Sequence, residues 1–311
     1  MLIARRTLAE LLAALFAAQA LWAGAVEVRF ERVAENVYAH VGDIGARSVA
    51  NKGLNANLGL VVTQGGAVLI DSGATFRSAG DIHAAIRKVT GQPVRWVINT
   101  GGQDHRWLGN SYFEAQGAEL IAHAAAVPDM RSRGGDQLAA LRMLLGPAAE
   151  GTVPTLPRRV LQGPDARLEL GGTVFEFRHR GGGHTPGDMM VWLPQSQVAF
   201  AGDIVYVDRL LAVLPVSSTR AWLDAFAALE QWAPRRIVPD HGRATDLAAA
   251  RSQTRAYLAA LRAHMAQAVE QGVDVSEAVK SFDAKPFLHL SNAAELNPGN
   301  ASRTFLEVER E

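Results

Sequence analysis

The chain has 311 residues, of which 48% are hydrophobic and 20% charged, which is ample apolar material for a packed core and excludes a disordered protein. Basic and acidic residues number 31 each, so there is no positive excess of the kind that attracts nucleic acid or anionic membranes. The absence of cysteine excludes disulfides, thiolate metal ligands, covalently attached haem and cysteine nucleophiles, and any metal must be held by imidazole and carboxylate.

At the N-terminus, Arg5-Arg6 precede an apolar run at 11–22 that ends in Ala23-Gly24-Ala25, the pattern of a cleaved secretory signal. The arginines followed by Thr7-Leu8 also resemble a twin-arginine export signal. Residues 1–25 are therefore expected to direct export to the periplasm or outside the cell, and 26–311 to form a single domain with a C-terminal helical extension. Removal of the signal takes away two arginines and one glutamate and moves the formal charge from 0 to −1. The apolar run falls short of the roughly 20 residues that cross a bilayer, and no later segment reaches that length, so no membrane span is expected after signal removal.

Alternating residues at 26–41 predict an opening strand or hairpin, and 58–63 with 67–71 flank Gln64-Gly65-Gly66 as a second hairpin. A helix near 78–89, a strand at 94–99, a helix near 109–116 and a short apolar run at 120–122 follow, the alternation of an α/β layer. Residues 124–145 read as helix interrupted at Pro128 and Gly134-Gly135, closed by Gly146-Pro147 and followed by a Pro-rich connection to Pro157. Short strands are predicted at 160–170, 174–177, 189–192 and 197–200. An amphipathic helix at 219–232, a strand at 236–239 and a long Ala-rich helix at 246–271, with Leu258, Leu261 and Met265 on one stripe, complete the pattern. Two strand groups, each followed by helices and joined by no obvious linker, predict an α/β protein of two face-to-face sheets with helices outside, a four-layer αββα sandwich.

Four segments place an imidazole or carboxylate just after a predicted strand: Asp104-His105, His184 in GGGHTPGD, Asp203 in AFAGDIV and His241 in IVPDHG. Taken singly each has an ordinary explanation, since His beside Gly is commonly a surface-loop residue and Asp after a strand commonly caps the next helix. Together, at successive strand ends, they describe imidazoles and carboxylates suited to a first-row divalent ion, zinc by default.

These residues resemble the metallo-β-lactamase-fold superfamily over about 26–260: Asp71 in VLIDSG, the loop at 99–110, GGHTPGD at 182–188, AGD at 201–203 and PDHG at 239–242. The series GDIVYVDR, TRAWLDAFAALEQW and RIVPDHG is most similar to the quinoprotein relay system zinc metallohydrolases, close to hydroxyacylglutathione-hydrolase-like members. The resemblance implies the sandwich fold and a loop that normally reads Asn-Thr-His-x-His-x-Asp-His, often with Gly-Asn after it, serving two metals. Aligning Asn99-Thr100 and Gly109-Asn110 to that pattern puts Gly101 and Gln103 at the two leading histidines, His105 at the aspartate and Arg106 at the fourth histidine. Sliding by one makes Asp104-His105 the Asp-His pair but puts Thr100 and Gly102 at the leading positions and spoils both anchors. Either register removes the first metal site, because glycine has no donor, a glutamine carbonyl is a poor ligand for zinc and a guanidinium has no lone pair.

What the resemblance leaves is one site made by His105, Asp203 and His241, with Asp104 and His184 as further candidates and one zinc ion per chain. Arg106, if directed inward, supplies charge that a metal would have carried. The function implied is metal-dependent hydrolysis of an ester, thioester or lactam-type bond in a small-molecule substrate. In it His184, freed from metal binding, acts as general base, while the metal held at Asp203 and the Arg106 guanidinium stabilise developing negative charge. The alternative is a catalytically degenerate member acting as a binding or accessory protein in the periplasm, its partner unspecified. Asp71 is expected to orient a ligand imidazole or to cap the following segment. The pocket walls are expected from loops near 43–55, 128–160 and 204–216, with Trp107, Tyr206, Arg209 and Leu210 as lining residues. His40, His83, His123, His179, His264 and His289 match no motif, and among them His123 is the nearest candidate for the pocket.

Overall fold

The computed structural model describes residues 27–311, so the expected export signal lies outside the described residues. Among them the strands form two sheets. The first runs in the order β1 (Glu31–Ala34), β2 (Val37–His40), β3 (Leu58–Thr63), β4 (Gly66–Ile70), β5 (Val94–Asn99), β6 (Glu119–His123) and β7 (Arg159–Leu161). The second runs β12 (Arg236–His241), β11 (Val198–Tyr206), β10 (Met189–Leu193), β9 (Thr173–His179) and β8 (Asp165–Leu170). Antiparallel hairpins build β1 to β4, and the pairings from β4 to β7 and between β11 and β12 are parallel, as the hairpin turns and helical crossovers require.

Side-chain alternation divides each sheet between two cores. Val61, Val68, Ile70, Ile98 and Ile121 of the first sheet meet Phe175, Phe177, Val191, Phe200 and Val238 of the second in the central layer. The opposite face of the first sheet presents Leu60, Leu69 and Val97 to Ile82 and Ile86 of helix α1 (Phe76–Val89) and to Phe113 of α3 (Asn110–Ala115), which follows the short α2 (Asp104–Trp107). Thr75 and Ser78 start α1 with a reciprocal capping box. The outer face of the second sheet presents Met190, Trp192 and Ala199 to Trp222, Phe226 and Leu229 of α5 (Thr219–Gln231) and to Leu258, Leu261 and Met265 of α7 (Ala256–Glu270). The αββα layering expected from the sequence is present.

Three local expectations are corrected. The helix α4 (Ala126–Leu145) is continuous. Pro128 falls in its first turn, where no backbone N–H is needed, and Gly134 is a packing residue, since a Cβ there would lie 2.8 Å from the Trp107 ring. The run at 160–170 is two strands, because Gly163 (φ 79°) and Pro164 turn the chain from the first sheet into the second. The helix expected at 246–271 is α6 (Leu247–Ala250) and α7 joined through a π turn at Arg251–Arg255.

Beyond α8 (Val275–Ser281), α9 (Ala293–Val308) braces the segment at 207–217. Asn300 donates to the Leu211 carbonyl (2.8 Å) and accepts from the Val213 N–H (2.7 Å), while Glu307 accepts from the Thr219 N–H (2.9 Å) and hydroxyl (2.6 Å) at the start of α5. No helix among the described residues is long and apolar enough to cross a membrane.

The close approach of the sheets is set at Gly59 on β3, where a Cβ would collide with the Phe200 ring of β11. Gly59→Val is therefore expected to cost about 1–3 kcal/mol by overpacking. A urea titration should show a lower midpoint with the slope unchanged.

Candidate metal centre

The site lies where β4, β5, β11 and β12 end on one edge of the sandwich. Asp71 follows β4 with φ 61°, and its carboxylate accepts from the Thr100 N–H (2.8 Å) and hydroxyl (2.7 Å). It touches no imidazole. Burial first, and then Asp240, push its carboxyl up to about 7 against the pull of Arg106. Asn99 and Asn110 bond each other (2.8 and 3.1 Å), and Asn99 also holds the Arg106 carbonyl (2.8 Å). The two anchors therefore pair in the folded loop, in keeping with the register that puts Gly101 and Gln103 at the leading positions.

Arg106 is fully buried. Its Nη2 lies 2.6 Å from both Asp188 Oδ1 and Asp203 Oδ2, and its Nη1 donates to Thr100 Oγ1 at 3.1 Å. A Cβ on Gly101 would collide with this guanidinium and with Asp188 Oδ1. The space beside residue 101 is occupied by the arginine itself. Burial works against the charge, but Asp203 and Asp188 outweigh it and hold Arg106 protonated. The expectation that Arg106 stabilises charge on a substrate is corrected, because the enclosed guanidinium is spent on Asp188, Asp203 and Thr100 and does not line the cavity beside His105 and His241. It acts on Asp203 instead.

Beside this ion pair, His105, Asp203, Asp240 and His241 bring donor atoms within 4.8 Å of one another, all buried. His105 Nε2 is 3.2 Å from Asp240 Oδ2 and 3.9 Å from Asp203 Oδ2, and His241 Nε2 is 3.0 Å from Asp240 Oδ2. His184 stands just outside, its Nε2 3.8 Å from Asp203 Oδ2. The orientation of two of these rings is fixed from behind. His241 Nδ1–H donates to the Asn55 carbonyl (2.6 Å) and His184 Nδ1–H to the Ala212 carbonyl (2.8 Å), so both Nε2 atoms face inward. Asn57 clamps the end of β12 through the Pro239 (2.8 Å) and Gly242 (2.7 Å) carbonyls.

Asp104 is not part of the group. Arg47 and Gln103 hold its carboxylate, and although burial opposes ionisation, Arg47 and His105 keep it below the usual carboxylate range. Asp240 was missed by reading PDHG for its histidine alone. It stands beside His241 at the end of β12, where the register of β11 against β12 shifts between Gly202 and Tyr206.

Burial depresses all three imidazoles: His105 to about 4, His184 below its ordinary value and His241 well below, so each offers a lone pair at neutral pH. Among the described residues, neither nitrogen of His105 and neither oxygen of Asp240 has a hydrogen-bond partner. Two imidazoles and two carboxylates with orphaned, converging atoms suit one divalent ion. The leading-histidine positions of the family's first metal do not, since Gly101 has no donor and Gln103 bonds Asp104, and Arg106 at the fourth histidine is a cation.

The group opens on a cavity of about 290 Å³ lined by His105, His184, Tyr206, Arg209 and His241, with Arg47, Gln103, Leu144 and Leu214 toward its outer walls. Tyr206 and Arg209 lie where expected. Trp107 and Leu210 are core residues, Trp107 donating to the Gly102 carbonyl (3.1 Å). His123 stacks on His179 at 3.9 Å and does not line the cavity.

Arg106→Met leaves Asp188 and Asp203 buried without their cation, and a loss of about 3–5 kcal/mol is expected. Chemical denaturation checks it, and a loss below about 1 kcal/mol would show that the ion pair contributes little.

The metallo-beta-lactamase superfamily model matches residues 51–241. Among solved structures, a double mutant of the sec-alkyl sulfatase PisA1 superposes with a TM-score of 0.72 at 17% identity, over 89% of this chain and 50% of that one. This chain thus spans half the length of the sulfatase. A metallo-beta-lactamase from Pontibacter korlensis gives 0.56 at 22% identity over 71% of this chain and 94% of its own, and the DIM-1 metallo-beta-lactamase gives 0.60 at 22% over 75% and 97%. At such identities the superpositions speak for the fold, and the family match covers more than half of the sequence. The chain belongs to the metallo-beta-lactamase superfamily.

Proposed function

We propose that this chain is a metal-dependent hydrolase of an ester, thioester or lactam-type bond that works with a single divalent ion, zinc by default, on the His105, Asp203 and His241 side of the pocket. The observation that carries the reading is the convergence of unpartnered imidazole and carboxylate atoms at the floor of a cavity large enough for a small-molecule substrate. A bound ion there supplies Lewis acidity toward a scissile carbonyl.

The protein's own groups do the rest. His184 Nε2, its tautomer set by the Ala212 carbonyl, accepts a proton from the attacking water as the water oxygen bonds to the acyl carbon. It returns that proton to the leaving oxygen, sulfur or nitrogen as the acyl bond breaks. Arg209 lines the same cavity, donates to the Gly45 carbonyl (3.0 Å) and has no carboxylate partner among the described residues, which favours a substrate carrying a negative group. Export by residues 1–25 puts this activity in the periplasm or outside the cell, a reading supported by the sequence pattern of that segment.

The second reading, a binding or accessory protein that has lost catalysis, is favoured by one observation: Arg106 fills the space beside Gly101. Elemental analysis of protein purified without added metal is expected to find one ion per chain, and a panel of lactam, thioester and aryl-ester substrates to reveal turnover that a chelator abolishes. Metal without turnover on any of the three favours the accessory reading. Replacing His184 by Ala should lower kcat by about 10²–10⁴ while metal content stays at the wild-type level. Loss of the ion would make His184 a ligand instead. Because burial lowers the His184 pKa, its basic form persists to more acidic pH, and the acid limb of the kcat profile is expected below the ordinary histidine value of about 6.5.

A further inference from the structure

We propose that Asp240, and not Asp203, is the carboxylate that ligates the ion, in a set with His105 and His241, and that Asp203 is the counter-charge of Arg106. The assignment rests on the single-metal reading above and departs from what resemblance to the family suggests, where the aspartate of the AGD segment is a ligand.

One oxygen of Asp203 is hydrogen-bonded, and the other, which has no hydrogen bond among the described residues, is in an ion pair. Oδ1 accepts the hydroxyl of Tyr206, and Oδ2 lies 2.6 Å from Arg106 Nη2. The same Oδ2 stands 3.9 Å from His105 Nε2 and 3.8 Å from His184 Nε2. Asp240 is the reverse case: buried, with neither oxygen hydrogen-bonded among the described residues, and with Oδ2 3.2 Å from His105 Nε2 and 3.0 Å from His241 Nε2. Donor atoms about 2.0–2.2 Å from a four-coordinate ion stand roughly 3.2–3.6 Å from one another. The Asp240 distances are close to that spacing and the Asp203 distances exceed it.

The tautomers sharpen the point. Because the Asn55 carbonyl can only accept, His241 Nδ1 carries the ring hydrogen, and Nε2 presents a lone pair toward Asp240 Oδ2 at 3.0 Å. Two lone-pair atoms held that close in a buried site repel unless a proton or a metal ion lies between them. For Asp203 that role is filled by Arg106, and for Asp240 no protein cation fills it.

The chain contains no cysteine, which permits a direct test of ligation. Asp240→Cys and Asp203→Cys are each loaded with Co²⁺ and their absorption spectra recorded. A thiolate-to-cobalt charge-transfer band is expected for Asp240→Cys and none for Asp203→Cys. In parallel, zinc affinity and stoichiometry are measured for Asp240→Asn and for the triple variant Asp203→Leu/Arg106→Met/Asp188→Asn, which removes the arginine together with the charge of both carboxylates paired with it. The Asp240 variant is expected to lose more than about 100-fold in affinity, beyond the range seen when only an outer partner of a ligand is removed, and the triple variant to keep its ion. The assignment is overturned if the band belongs to Asp203→Cys, or if the triple variant loses the ion while Asp240→Asn keeps it; the single-metal reading would survive either result. Wild-type protein that binds no ion overturns both.

Discussion

The guanidinium of Arg106 sits in the interior beside Asp188, Asp203 and Thr100 and sees no solvent. An unpaired charge in such a place costs several kcal/mol, and only close opposite charges with directed hydrogen bonds offset it. The geometry of the surrounding loop follows from that requirement. Residue 101 has to be glycine because the guanidinium takes up the volume a side chain would need. Thr100 turns its hydroxyl so that it accepts from Arg106 and donates to Asp71, and the left-handed backbone at Asp71 is held by the two bonds that Thr100 gives it. Asp203, drawn to Arg106 and to the Tyr206 hydroxyl, is left with little freedom to rotate toward anything else.

The scaffold brings this ion pair and the metal-binding cluster to one edge because strands of both sheets end there. His241 at the end of β12 and His184 in the loop between β9 and β10 are aimed by carbonyls that belong to other loops: Asn55 behind His241 and Ala212 behind His184. The loop that carries Ala212 is itself tied to α9 through Asn300. The C-terminal helix therefore has a traceable connection to the orientation of a site imidazole, through Asn300, the backbone at 211–213 and the Ala212 carbonyl. Neutral rings are a consequence of the same burial, since desolvation lowers each of their pKa values.

Strand ends and the residues that follow them were readable from the sequence because glycine-bounded apolar runs and isolated His or Asp residues are local signals. The loops that wall the cavity were readable for the same reason. Less legible were the features that depend on partners far along the chain. Arg47 takes Asp104 away from the cluster across 57 positions, and no local pattern announces that pairing. Asp240 is hidden because PDHG draws attention to its histidine alone, and nothing local to that segment shows that its carboxylate is left without a partner. Pro128 and Gly134 looked like breaks in α4 because their usual meaning is local, whereas here one lies in a turn that needs no N–H and the other makes room for Trp107. The sequence left the direction of Arg106 open, and its enclosure was not legible. Enclosure is a property of the packed interior.

Charge bookkeeping inside the site argues for one ion over two. Asp71, Asp188, Asp203 and Asp240 are buried around a single guanidinium, and the field of the first two named partners, Asp203 and Asp188, keeps that guanidinium charged. Among the four carboxylates, burial together with the Asp203 charge pushes Asp240 well above the ordinary range, whereas Asp203, against the effect of its own burial, is held below that range by Arg106. Asp240, coupled to the arginine less strongly than Asp203 and Asp188 are, is thus the carboxylate nearest to the two imidazole lone pairs. One divalent ion adds to the arginine a total of three positive charges against at most four negative ones, a balance the interior can hold. A second ion would exceed it, and the volume beside Gly101 where it would need ligands is filled by a side chain that repels it.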